Sequence, residues 1–143
     1  MRFVGTDLSH AAVLVILAIL TSALVLGHVH EVLQRRNAED KALTLLKEWL
    51  SPGQLAQYEE FGYFEVTGGD SGKRYRIRPI RQMNVDELDE HGVRIAAWCF
   101  GPEGELPTYD VMLAQKIALE NNEHAALEVA NRGHPYETPA RFG

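Results

Sequence analysis

Residues 11–29, AAVLVILAILTSALVLGHV, carry no charge, no proline and a single glycine. As a helix rising about 1.5 Å per residue, the run matches the roughly 30 Å hydrocarbon core of a bilayer. Apolar side chains fall on every face of such a helix, which sets it apart from the one-sided amphipathic helix of a soluble domain. The expectation is a single-pass transmembrane helix over residues 10–30, retained as an anchor. A cleaved signal peptide is the competing reading. Its basic end would be only Arg2 and the amino terminus, offset by Asp7, and the small residues 21–23 would place cleavage inside the run.

Around that anchor the chain of 143 residues divides readily. Residues 1–9 form an N-terminal stub, 31–50 a juxtamembrane helix, 51–131 an α+β domain, and 132–143 a flexible tail rich in Pro and Gly. Arg35, Arg36, Lys41 and Lys47 follow the anchor, against Arg2 before it. Basic residues near a membrane favour the cytoplasm, so the soluble domain is expected there. The formal net charge is −6, with the acidic excess in the soluble part. That balance disfavours nucleic acid as a partner. A lone cysteine, Cys99, excludes an intrachain disulfide and a Cys-based zinc site within the chain.

The stretch HEVLQRRNAEDKALTLLKEWL has neither glycine nor proline, so the first helix should continue past the bilayer. Ala42, Leu43, Leu46, Trp49 and Leu50 recur at helical spacing as one apolar stripe. The stripe can pack on the domain, pair with a second copy, or lie on lipid headgroups. Ser51, Pro52 and Gln54 then write a capping box with proline at the first helical position. Leu50 and Leu55 are spaced for a hydrophobic staple. The short helix they open should run from Pro52 to Phe61 and stop at Gly62.

From Tyr63 the hydrophobic period changes to two. YFEV, KRYRIRPI, NVDEL and VRIAAWCF read as four strands of an antiparallel meander, separated by GGDSG, a bend near residues 81–83, and DEHG. Phe64, Val66, Tyr75 and Ile77 are the expected inward positions, with Val93, Ile95, Ala97 and Cys99 facing the core from the last strand. A helix starting at Thr108 or Asp110 follows, with a kink expected at Asn121–Asn122 and a final helical segment over residues 123–131. Its stripe of Leu113, Ala114, Ile117 and Ala118, with a second of Met112 and Leu119 beside Gln115, suggests burial between two layers.

LSPGQLAQYEEFGYFEV, YRIR, NVDELDEHG, DVMLAQKIALE and LEVAN, in that order, resemble an uncharacterised small α+β domain family of bacterial and phage proteins. The resemblance covers residues 50–131. It implies an α+β unit that recurs in different contexts and carries no established activity.

Charge is densest in the second strand, where Lys73, Arg74, Arg76, Arg78 and Arg81 are candidates for anion binding. Alternation places Arg74, Arg76 and Arg78 on one face, a row of guanidiniums suited to phosphate. Asp86, Glu87, Asp89 and Glu90 can neutralise that row without any ligand. No metal site is expected. Haem or chlorophyll ligation by His28 or His30 is the weaker alternative, because rings two residues apart point to different helix faces. Cys99 could act as a nucleophile with His91 or His124 as base, but no third residue at a recognisable spacing would orient the histidine. GGDSG lies in a hairpin and does not open a helix, as a phosphate loop would.

The function expected is therefore that of a non-enzymatic, single-pass membrane protein with a protein-interaction domain. Its partner is another protein or a second copy, held by Leu43, Leu46, Trp49, Met112 and Leu119. A membrane-tethered binder of nucleic-acid or headgroup phosphate using the basic strand is the alternative. No cofactor is expected, nor a small-molecule substrate.

Overall fold

The computed structural model of the chain describes residues 7–102 and 104–133. The expected stub, apart from its last residues, and most of the expected tail lie outside them. Two units are distinguished, Met1–Ala38 and Glu39–Gly143. They are described separately.

Helix α1 runs without interruption over Asp7–Trp49. In the first unit it carries the apolar run, and its side chains from Val13 to Val29 stand about half to three-quarters exposed on all sides. Thr21 Oγ1 and Ser22 Oγ each donate to the Ala18 carbonyl, at 3.0 and 2.7 Å. The two hydroxyls are thereby satisfied within the helix. It is the one helix among the described residues long and apolar enough to cross a membrane, with a mean hydropathy of 2.5 in its most apolar window. A membrane span or a signal sequence meets that description.

In the second unit, Ala42 and Leu46 on the last turns of α1 are buried, as is Leu50 just after the helix. Helix α2 spans Pro52–Phe61 and is bounded as its sequence dictates. Ser51 accepts from the Gln54 amide, Gln54 accepts from the Ser51 amide, and Gly62 closes the helix in the left-handed region at φ 73°. Strands β1 (Phe64–Thr67), β2 (Arg74–Ile77), β3 (Val85–Leu88) and β4 (Arg94–Cys99) follow. Helix α3 covers Thr108–Val129, and β5 covers Asn131–Gly133. The sheet has the order β1-β2-β3-β4-β5, every pair antiparallel. Edge strand β1 is covered by α2: Gln54 Nε2 donates to the Glu65 carbonyl and Gln57 Oε1 accepts from the Glu65 amide.

The α+β class and the long apolar helix are as the sequence suggests, but the sheet has five strands, not four. Arg132 and Gly133, expected in an unpacked tail, pair with Trp98 and Ala97. Nothing in Asn-Arg-Gly alternates in polarity, so the strand leaves no pattern to read. A Cβ on Gly133 would lie 2.5 Å from Met83 Sδ, so any larger residue there would have to push the flexible Met83 side chain aside. The helix before it ends at Val129, short of the expected Asn131.

Of the positions expected to face the core from β4, Ala97 is buried and Cys99 half-buried, but the other two are not. Val93 and Ile95 are exposed, while Ala96 is buried and Trp98 packs on the core. The register shifts between Glu87 and Leu88, which pair with Ala96 and Arg94 and leave Ile95 unmatched. Pairing of Val85 with Trp98 and of Glu87 with Ala96 sets Ala96 and Trp98 on the core side of β4, and the bulge changes the pairing only before Ala96.

The core is shared by α1, the sheet and α3. Leu46, Phe64, Tyr75, Ile77, Val85 and Leu119 are fully enclosed, with Met112 nearly so. Leu46, Met112 and Leu119, expected to hold a partner, are thus internal and present no surface. Leu43 is half-buried and Trp49 remains exposed. Helix α3 is not enclosed on two sides, since Ala114 and Ile117 face outward. Its kink falls at Asn122 (φ −155°, ψ 62°), where the paired asparagines placed it.

Candidate binding groove

The basic strand folds with Arg74, Arg76 and Arg78 on the face opposite Tyr75 and Ile77, and each guanidinium is engaged. Arg74 and Arg76 pair with Glu65 at 2.5 and 2.9 Å, and Arg78 with Asp86 at 2.9 Å. Arg94 adds a longer contact of 3.7 Å to Asp86, and Lys73 pairs with Glu87 at 2.7 Å. Burial alone would raise the Glu65 carboxyl, but Arg74 and Arg76 hold it below the ordinary glutamate value. Glu65 is not among the carboxylates the sequence sets beside that row, because the β1–β2 register that places it across from Arg76 is tertiary information. Asp86 and Glu87 are buried, not surface charges, and Asp89 is used locally, accepting from the His91 and Val93 amides. Among the described residues Arg81 alone of the five basic candidates makes no ion pair.

GGDSG does hold an anion, and the chain supplies it. The Glu123 carboxylate, almost fully buried, accepts from the Asp70 amide at 3.1 Å, the Ser71 amide at 2.7 Å, the Ser71 hydroxyl and the Tyr75 hydroxyl. Burial would raise this carboxyl; the four donors, Ser71 foremost, outweigh it and hold the group ionised below the usual range. Tyr75 is pushed the other way, first by burial and then by its bond to Glu123. Asp70 Oδ2 accepts from the His124 amide at 2.8 Å, capping the half-helix that restarts after Asn122. The turn is a structural clasp on the α3 kink.

A groove lies elsewhere, between α3, the end of β2 and the segment after β4. Asn84, buried before β3, fixes one wall by donating to the Phe100 carbonyl at 2.9 Å and accepting from its amide at 3.0 Å. The other wall is α3, whose first turn has no side-chain cap of its own at Pro107. Glu39 supplies one, both oxygens standing 2.9 Å from the Thr108 amide and one accepting from the Thr108 hydroxyl. Between the walls are two cavities of about 170 and 260 Å³ that share Pro102, Leu106, Val111 and Gln115. Arg78, Ile80 and Arg81 line the first, Phe100, Ala118 and Val129 the second.

Gln115 is 3% exposed, and neither its amide nitrogen nor its amide oxygen has a hydrogen-bond partner. Arg78, which lines the first cavity, likewise has a buried and unbonded Nε. An unsatisfied buried polar group costs about 1–3 kcal/mol, so a pair of them on one cavity wall sets this site apart from the rest of the domain. The available signal was a glutamine inside the Met112/Leu119 stripe. Its meaning depended on a groove formed by segments distant in sequence.

The remaining candidates are not brought together. His28 and His30 are exposed on α1, and no group of three or more His, Cys, Asp or Glu suited to a metal is assembled among the described residues. Cys99 is half-buried on β4, while His91 and His124 are exposed beside Glu90 and Glu128. No family model matches the chain, and neither does any curated protein or solved structure.

Proposed function

We propose that this chain is a single-pass membrane protein whose small α+β domain binds another protein without catalysing a reaction on it. The observation that carries the reading is the exposed apolar girdle of α1, where Leu14, Leu20, Leu24 and Leu26 stand 55–74% exposed with no packing partner in their unit. At about 25 cal/mol per Å² such a surface is untenable in water and at home in hydrocarbon. Residues 35, 36, 41 and 47, all basic, support a cytoplasmic domain. From Val29 to Ala42 the chain can span at most about 45 Å, so an embedded helix keeps the domain near the bilayer whatever path is taken.

The surface offered to a partner is the groove and its rim, where Leu106 and Val129 are 55% and 81% exposed. That rim replaces the buried Leu46, Met112 and Leu119. For an anion to be held by Arg74, Arg76 and Arg78 instead, their pairs with Glu65 and Asp86 must first be broken. The pairing supports a structural role for the basic face.

Alkaline carbonate extraction of native membranes, with a photo-cross-linking residue at Leu106, tests the proposal. The protein is expected in the pellet with a discrete protein adduct. Release into the carbonate supernatant, or a mature form beginning beyond Leu26, overturns the membrane part. A strictly monomeric protein without an adduct overturns the binding part.

A further inference from the structure

We infer that the groove accepts an extended peptide segment, with the N–H and carbonyl of one partner residue seated on Gln115 and two successive apolar side chains of the partner in the two cavities. The inference deepens the protein-binding proposal and rests on it. Gln115 offers an unused donor and an unused acceptor side by side, and Arg78 Nε offers a further donor. In an extended chain the N–H and carbonyl of one residue point to the same side and are complementary to that set, since the carbonyl accepts and the N–H donates. A carboxylate would leave Gln115 Oε1 orphaned, because an ionised carboxyl has nothing to donate. The desolvation of the glutamine is already part of the cost of folding, so an incoming amide gains the bond without stripping water from it.

The division of the space points the same way. Two cavities meet at Gln115, with the apolar residues Leu106 and Val111 common to both. Successive side chains of an extended peptide leave the backbone on opposite sides of the intervening amide. Volumes of about 170 and 260 Å³ suit branched aliphatic residues such as leucine.

The test uses the full chain in lipid nanodiscs with methyl-labelled leucine and valine. The probe is N-acetyl-leucyl-leucine N-methylamide, compared with its depsipeptide, in which the central amide is an ester, and with 4-methylpentanoate. The amide probe is expected to shift the Leu106, Val111 and Val129 methyls saturably and to bind about tenfold more tightly than the ester, the loss of one buried hydrogen bond. In Gln115→Leu that preference should fall to about one. Absence of saturable shifts, equal affinity for amide and ester, a preference that survives Gln115→Leu, or tighter binding of 4-methylpentanoate overturns the inference.

Ala114→Phe provides a second arm that does not depend on Gln115→Leu folding. Ala114 is exposed on α3 and lines the larger cavity, so the aromatic ring fills it without entering the core. Loss of probe binding with the remaining methyl spectrum intact supports the groove; undiminished binding rules it out. A photo-adduct at Leu106 together with no dipeptide binding sinks this inference and leaves the broader protein-binding reading standing.

Discussion

Tyr75 Oη donates to Glu123 Oε1 at 2.5 Å, joining the middle of β2 to the kinked half of α3 through the interior of the domain. Both residues are at most 2% exposed, so the bond joins a phenol to a charge removed from water. Such a carboxylate is tolerated because its other lone pairs are filled by the GGDSG turn.

Removing one donor should therefore cost more than an ordinary hydrogen bond. Tyr75→Phe is expected to lower unfolding stability by about 1.5–3 kcal/mol, the range for bonds to charged groups. Chemical denaturation at neutral pH measures it.

The same cluster sets an acid limit. The Glu123 and Glu65 carboxyls are depressed below 4.5 in the folded protein, so their contribution to stability is complete above that value. It is lost as pH falls through their lower folded values. Glu123→Gln should be destabilised at pH 7, since its amide NH₂ would face backbone donors. The gap from the parent should narrow steadily below pH 4.5, where unfolding midpoints against pH will show the convergence.

Gly69→Ala is expected to be more damaging than Gly68→Ala. A Cβ at position 69 would sit 2.2 Å from the Glu120 backbone carbonyl, which belongs to the helix and cannot turn away. At position 68 it would meet the Glu123 carboxyl at 2.3 Å, a side chain that can move only by giving up its donors. Losses of about 3 and 2 kcal/mol are expected, with faster amide exchange around Asn121 and Asn122 in the first.

Within the stripe on α1, Leu46→Ala and Trp49→Ala separate core from surface. Leu46 is wholly enclosed and Trp49 is 57% exposed. The first should cost about 2–5 kcal/mol and the second under 1 kcal/mol, by thermal or denaturant unfolding.

Replacing Arg74, Arg76 and Arg78 together by Ser should weaken folding by about 2 kcal/mol, because Glu65 and the buried Asp86 lose their partners. Retention on heparin or anionic liposomes should not change. A large salt-dependent loss of retention would restore the anion-binding role.

Elements whose cause is local were legible in the residues themselves. The apolar run has a length and composition that no neighbour can alter. The α2 boundaries follow from Ser51, Gln54 and Gly62 within a few residues of one another. Alternation alone gave the inward positions of β1 and β2, and the paired asparagines located the α3 kink. What failed depended on residues far apart in the chain. Ile95 faces outward because the register with β3 sets its neighbour Ala96 across from Glu87 on the core side. Asn131–Gly133 becomes a strand only because β4 offers an edge and Met83 leaves room for a glycine. Leu46, Met112 and Leu119 looked like spare apolar surface because a stripe does not state what it packs against. Glu123 and Gln115 are two polar residues on one helix, one with every lone pair filled and one with no partner. That difference comes from which loop arrives beside each, and loop placement is decided by the assembled sheet.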